Sequence, residues 1–572
     1  VIGQPDLTTS TPLRTRSGID GPDGLAYDYR NDRLLVSDHG NDRVTIYDAA
    51  PLRLANMPDA LYVIGQKDFT TRELGPVRAN ELWDPRGLAF DSEHQRLYIS
   101  QGFAANIMIH DMARPVYEFD FFPNVVQSYQ SSGADTYSTT NSGYAVASGG
   151  DALAGGTAVF TNMTTTFDDA SQRESRMLVS ETGFAAPPQV EEATVFVDGR
   201  PDTETFIVVA NPRAAPTELR FVHHGTDGST LAQSVTRELD ADGSMSVRVS
   251  ALFPGAVTGS VTVRSDESFA LTAARLTSND RQEDILTAVP VAYETAAERP
   301  SSLTIPRVEM GGGYTTQLVL LNPTDRTLEG IIKFLTVTGE PLRVEGTATE
   351  MGYSIAPNGT FVWESPQGGN VVESGFAVVS AATEVPVGTA IVSLERGETL
   401  ITEAGMGGGA VGEAWFGIDT YPSVVRHGRM EFRVTLANGG ARTADVRLIV
   451  YTPDGEELTR THQILPAGHR VEFTQVDLAD RGRFKGSVRI VSDVPISMAA
   501  HRRTTNIRNE LIVARLPSLT LGSGTGRLIF PRFLDGPEVA TELFMLSKGT
   551  ALGGGRVEFF DERGQPLTVV LR

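Results

Sequence analysis

The sequence predicts an all-β protein built from two kinds of repeat, and three observations carry that prediction. Gly (57) and Pro (31) are frequent and recur between short apolar stretches, which suits many tight turns better than long helices. A repeat of 62 to 63 residues opens the chain, and a second repeat with a period near 110 fills the rest. At 572 residues the chain exceeds what one core can organise and divides into roughly four to six domains. Hydrophobic residues at 40% and charged residues at 21% are ordinary for a globular chain and argue against wholesale disorder.

In the first repeat, Val1-Ile2-Gly3-Gln4 returns as Val63-Ile64-Gly65-Gln66, and Gly24-Leu25-Ala26-Tyr27-Asp28 returns as Gly87-Leu88-Ala89-Phe90-Asp91. Each copy continues into an alternating strand pair, Arg33–Ser37 with Arg43–Tyr47 and Arg96–Ser100 with Asn106–His110. Asp23-Gly24-Leu25-Ala26, Asp38 and Gly40-Asn41-Asp42-Arg43-Val44 resemble the NHL-repeat family of β-propellers, in its long-blade form with a V-[IL]-G-Q loop. The second copy departs from the pattern, since Gly102-Phe103-Ala104-Ala105-Asn106 replaces the Gly-Asn-Asp-Arg turn. The resemblance implies two blades over residues 1–114, fewer than the four or so that a closed propeller needs. Either further blades lie upstream of Val1, the favoured expectation, or these strands dock onto something else; the missing initiator Met suggests a processed or cropped chain from which a signal peptide could have been lost.

The second repeat has three markers. A strand runs into a turn at Asn211, Asn322, Asn438 and Ser547; a Gly turn follows at Gly228, Gly339, Gly455 and Gly564; a small-residue strand start stands at Gly143, Gly259, Gly375 and Gly486. About seven short strands per period match an Ig-like β-sandwich, and the modules resemble tandem sandwich repeats of large secreted bacterial proteins. The predicted boundaries are half a module at 115–190, whole modules at 191–300, 301–412 and 413–525, and half a module at 526–572. The predicted fold class is therefore a partial β-propeller plus tandem Ig-like β-sandwich modules.

The two half-modules fit each other. Residues 526–572 hold the opening strands of a module and 115–190 the closing strands, and Phe122-Pro123-Asn124 falls close to the place of Ala356-Pro357-Asn358. Half a sandwich exposes unpaired strand edges and half a core. Three readings fit: the chain is a window on a longer protein, the halves complete each other between chains, or they close in cis. Completion between chains predicts head-to-tail self-association into a filament. The residues predicted to carry it are Phe530, Leu543, Phe544, Phe559 and Phe560 from one half and Tyr144, Val146, Val159 and Phe160 from the other.

A formal net charge of -22 disfavours nucleic acid as a partner, and no apolar run approaches the ~18 residues of a membrane span. Only four of the 49 basic residues are lysines, which reads as a codon bias of a GC-rich genome. With no cysteine there are no disulfides, thiolate metal sites or cysteine nucleophiles. The nine histidines form no H-E-x-x-H pair and read as surface or turn residues, with His223 and His224 facing opposite sides of a strand. The Asp38–Asp42 stretch and Asp240-Ala241-Asp242-Gly243 have carboxylates for calcium but too few spaced oxygen ligands, so both read as turns and no cofactor is predicted. Gly311–Gly313, Gly407–Gly409 and Gly553–Gly555 read as turns rather than phosphate cradles. Glu181 and Glu403 recur in equivalent places, which argues for a structural partner such as an arginine.

Trp83, Trp363 and Trp415 are candidates for glycan stacking, with packing as the plainer role. Some NHL-type propellers resemble metal-dependent lyases, but His39, His94 and His110 do not make their ligand set. The sequence thus predicts an extracellular or cell-surface structural or adhesive protein and no enzyme. The alternative is a secreted binder whose propeller recognises a cell-surface glycan or protein, with the sandwiches as spacer.

Overall fold

The computed structural model describes the chain except residues 29–32, 50–55, 61, 67–68, 73–81, 92–95, 112–115, 122–124, 132–139, 151–152, 169–172, 295–298, 345–348, 367–368, 422–427, 481, 520–525, 537, 548–552, 568, 570 and 572. The protein is all-β; among the described residues the only α-helices are the single turns Val249–Leu252 and Gln475–Ala479. The chain forms two compact units, one around Val1–Arg114 and one that joins Pro115–Ser131 to Asn141–Thr568.

The first unit holds two antiparallel sheets. Strands Pro22–Asp28, Arg33–Asp38, Arg43–Asp48 and Tyr62–Ile64 pair in chain order, and so do Pro85–Asp91, Arg96–Gln101 and Asn106–Asp111. Leu35, Val44 and Ile46 of the first sheet pack with Leu97 and Ile99 of the second. The Val-Ile-Gly-Gln motif supplies the fourth strand, with Ile64 paired to Val44. In the first sheet the turn is held by a buried pair: Arg43 Nε donates to Asp38 at 2.6 Å, and its Nη2 donates to the carbonyls of Thr15 and Gly18. One repeat later Gln101 and Asn106 occupy these two places, joined by a neutral 2.8 Å bond.

The second unit contains four copies of one eight-strand sandwich. In module 3 the strands in chain order are Ser302–Met310, Tyr314–Leu321, Leu328–Thr336, Glu350–Ile355, Thr360–Glu364, Glu373–Ala381, Val387–Arg396 and Thr399–Gly407. They pair as a sheet 1-6-3-4 facing a sheet 5-2-7-8. Ile305, Ile332, Phe334 and Val379 from one sheet close on Leu318, Leu320 and Ala390 from the other. Module 2 begins at Gln189–Val197 and module 4 at Val411–Asp419, with the same eight-strand pairings, to which module 2 adds a short strand, Val291–Tyr293, at the edge of its strand 1. In both, strands 6 and 7 are one continuous strand, Gly259–Ser278 and Lys485–Thr505, that passes from one sheet to the other. The count is eight strands rather than seven, and strand 1 pairs with strand 6. The boundaries placed at 190/191 and 412/413 fall inside the first strands of modules 2 and 4.

Module 1 is assembled from two distant segments. Strands 1 to 3 are Arg527–Asp535, Val539–Ser547 and Gly553–Asp561; strands 4 to 8 are Val116–Phe121, Val126–Gln130, Asn141–Ser148, Leu153–Asp168 and Arg173–Ala185. They pair as 1-6-3-4 and 5-2-7-8, as in module 3. The complementary halves therefore complete each other within one chain. Gly553-Gly554-Gly555, expected as a turn, is strand, paired to Phe121, Asp120 and Phe119. Phe122-Pro123-Asn124 lies outside the described residues.

The recurrent markers have common physical causes. A Cβ on Gly143, Gly259, Gly375 or Gly486 would stand 1.9–2.2 Å from the carbonyl oxygen of the adjacent strand 3, so only glycine lets strand 6 approach. Gly228, Gly339, Gly455 and Gly564 all take positive φ between 76° and 84°, as their tight turns require. The Asn322 amide donates to the carbonyls of Arg326, Ile355 and Ala356, fixing two turns at once, and Asn211 and Asn438 repeat this role.

Candidate functional site: the seams and axis of the four-module unit

The four modules follow one another around a closed circuit. Three seams share one backbone bond, from the start of strand 5 to the strand 3–4 turn of the preceding module: Ser244 N to Glu562 O at 3.1 Å, Thr360 N to Thr226 O at 3.0 Å, and Arg470 N to Val337 O at 3.0 Å. The Asp240–Gly243 turn is one receiving groove: Gly564 of module 1 stands over its carbonyls. The fourth seam, between modules 4 and 1, buries Phe544, Leu546 and Val159 of module 1 with Phe416, Ile418 and Val434 of module 4. At the centre the four eighth strands meet, joining Met177, Leu178 and Val179 to Ile285, Leu400, Ile401 and Ile512.

Charged residues lock this centre. Arg502 of module 4 donates to Glu181 of module 1 at 2.6 and 3.0 Å and to Glu542 at 3.1 Å, all three side chains being essentially inaccessible. Burial alone would push the Arg502 guanidinium down, but the two carboxylates hold it above its ordinary value. Arg275 of module 2 does the same with Glu403 of module 3 at 2.7 Å, and also binds Asp198 and Gln317. The recurrent Glu181 and Glu403 thus have the arginine partners their recurrence suggested. Hairpins of modules 2 and 4 then exchange a reciprocal pair, Arg281 with Glu510 at 2.6 Å and Arg508 with Glu283 at 2.7 Å.

These locks expose a period that the 110-residue repeat conceals. Arg275-x-Thr277-x-Asn279-x-Arg281-x-Glu283 recurs as Arg502-x-Thr504-x-Asn506-x-Arg508-x-Glu510, 227 residues on. Asn279 donates to Leu400 O and Asn506 to Leu178 O, so the two motifs act alike across the axis. Modules 2 and 4 carry the single helical turn and the continuous long strand; modules 1 and 3 carry the glutamate and the Pro531-Arg532 or Pro306-Arg307 pair in strand 1. The unit is a pair of two-module repeats. The nine-residue motif was visible in the sequence and could have shown this.

All nine residues predicted to carry assembly lie in module 1, on strands that join its halves. Tyr144 stacks on Phe560 at 5.2 Å, Val146 pairs with Ile529, and Ala145 stands between Phe530 and Phe559. In the other sheet Leu543 pairs with Ala158, Phe544 with Thr157, Val159 with Glu542 and Phe160 with Thr541.

The histidine reading needs correction at three places. His223, His224 and His501 are buried, because their strands face neighbouring elements rather than water. His223 bonds Val257 O and packs on Phe253, while His501 meets Arg307 at 2.9 Å in the seam of modules 3 and 4. Burial, together with Arg307, Arg503, Arg433 and Arg470, holds His501 well below the usual histidine range. His94 lies outside the described residues, and His39 stands 3.4 Å from Asp84. Trp415 is buried, Trp363 packs on Phe334 at 4.8 Å, and Trp83 is part exposed and stacked on Phe103.

Among the described residues no group of three or more His, Asp or Glu side chains is placed to hold a metal ion. Both Asp38 oxygens accept from protein donors, namely Asp20 N, Asn41 and Arg43. The described helices include none long and apolar enough to cross a membrane. A polar cleft of about 740 Å³ between modules 2 and 3 includes Asp202, Asp280, Glu364, Glu395, Glu398 and Arg200 in its walls.

No family model matches the chain, and no curated protein matches it. Among solved structures, infectious bursal disease virus of the Gx strain aligns at 7% identity over 65% of this chain and 80% of that one, with a TM-score of 0.10. The VP2 subviral particle of the same virus aligns at 8% identity over 67% and 85%, also with a TM-score of 0.10. Scores this low carry no argument about fold or function.

Proposed function

We propose that this chain is an extracellular or cell-surface structural protein, non-catalytic, whose four sandwiches close on themselves to form a rigid platform. The observation that carries the reading is the completion of module 1 in cis, because it turns a string of repeats into a closed circuit. The charged residues that recur across modules are spent on buried seam locks, the opposite of what a reactive group exposed to substrate requires. The NHL-type resemblance of the first unit supports a propeller-like part that displays or binds.

Head-to-tail assembly would use the same strands, exchanged between chains as a domain swap. In cis they are already seated, so the platform is monomeric on this reading. Light scattering coupled to size exclusion tests it: the expected mass is that of one 61.5 kDa chain at all concentrations. Filaments in negative stain, lost on deletion of 526–572, would instead favour assembly between chains.

A further inference from the structure

We propose that the seam of modules 3 and 4 holds a binding site for a short aliphatic carboxylate, with Arg515 as its anchor. A cavity of about 240 Å³ opens there, lined by Arg515, the apolar side chains of Met406, Met498 and Pro517, and Ser497 and Ser518. Arg515 lies on strand 8 of module 4, with its guanidinium against the backbone of Gly407 of module 3. It makes no ion pair or side-chain hydrogen bond among the described residues, unlike Arg275, Arg502, Arg281 and Arg508 around the same axis. Arg515 is only part exposed, and a guanidinium with no protein acceptor at the wall of a cavity is a ready donor for an anion. Burial also pushes the Arg515 guanidinium down, which an anion would reverse.

Pseudo-symmetry gives the second, independent argument. The place of Arg515 in strand 8 is taken by Ala288 in module 2, Gly405 in module 3 and Gly183 in module 1. The close approaches confirm the match: a Cβ on Gly405 would meet Ala288 O at 2.5 Å, and a Cβ on Gly183 would meet Arg515 O at 2.5 Å. Three copies pack the axis without a cation, so ring closure does not need one. The fourth copy adds a planar, bidentate donor at the wall of a half-enclosed cavity whose lining is part polar and part apolar. A planar donor suits a carboxylate, and the methionine walls suit a short hydrocarbon body.

The test uses the full chain and hexanoate as probe, titrated by calorimetry, with hexanol, hexylammonium and inorganic phosphate as controls. Saturable hexanoate binding is expected, with none for hexanol or hexylammonium and weaker binding for phosphate. Arg515→Gln should weaken hexanoate by about tenfold or more, and Ser518→Leu, which fills the cavity and keeps the arginine, should weaken it too. Absence of hexanoate binding to the intact chain overturns the proposal outright, whatever the folding of the variants. So does equal affinity in a folded Arg515→Gln protein, or phosphate binding as strong as hexanoate.

Discussion

Modules 1 and 3 have the same eight strands in the same two sheets, but only module 3 is continuous in the chain. In module 3 strand 3 passes to strand 4 across residues 337–349; in module 1 those strands come from residues 553–561 and 116–121. The pairing, the close glycine of strand 6 and the packed core survive the break unchanged. Sandwich topology is therefore set by which faces and edges fit, while continuity sets only the entropy of bringing them together. The break gains something in return: joining the two segments closes the circuit of modules, as a clasp would.

The largest way to break the comparison is to remove residues 526–572. Module 1 then loses strands 1 to 3 and both sheets lose interior members, so cooperative unfolding of the whole four-module unit should disappear in calorimetry. The truncated chain should regain it when a 526–572 peptide is added. Removal of strands 1 to 3 from module 3 would be unrescued by a peptide of that sequence.

Next come the locks. Arg502→Met leaves Glu181 and Glu542 buried without their cation and should cost about 3–5 kcal/mol by denaturant unfolding. Arg275→Met should cost a similar amount through Glu403 and Asp198. Arg502→Met combined with Glu181→Gln and Glu542→Gln should recover much of the loss, because the expense lies in the orphaned charges. If Arg502→Met is much milder than Arg275→Met, the closing seam is looser than the internal one.

A smaller effect compares the two glycines directly. Gly143→Ala and Gly375→Ala each drive a Cβ into a strand-3 carbonyl and should cost about 1–3 kcal/mol. Equal costs would show that the join between segments is as tight as the continuous module.

The mildest prediction concerns pH. His501 has a depressed folded pKa, so the unfolded chain takes up its proton first as pH falls. Its contribution is intact above the unfolded value of about 6.5 and declines below it, towards the lower folded value. His223 and His224 are depressed by burial and act in the same direction. His501→Gln should flatten part of the stability decline below pH 6.5, measured by urea midpoints, and leave the decline from His223 and His224 in place.

Much of this was legible in the sequence, and the reason is local. Gly143, Gly259, Gly375 and Gly486 mark the same backbone approach four times, so alignment of the copies revealed the modules and the two halves. The strand 1–6–3–4 order was not legible, because the edge pairing of strands 1 and 6 leaves no local period. Arg502 and Glu181 lie 321 residues apart, and nothing in either segment names the other. Burial of His223, His224 and His501 was hidden because each sits on a face that only a neighbouring element or module covers. The glycine run Gly553–Gly555 looked like a turn, since its strand character comes from pairing to Phe119–Phe121 at the far end of the chain.

The central claim is that module 1 closes within one chain, and the absence of native cysteine makes it directly testable. Ala147 and Val557 are paired neighbours on strands 6 and 3. The double variant Ala147→Cys/Val557→Cys, oxidised and run without reductant, should give a monomeric species of altered mobility with a peptide disulfide joining the two segments. A ladder of disulfide-linked dimers and higher oligomers, with no cross-linked monomer, would contradict the account.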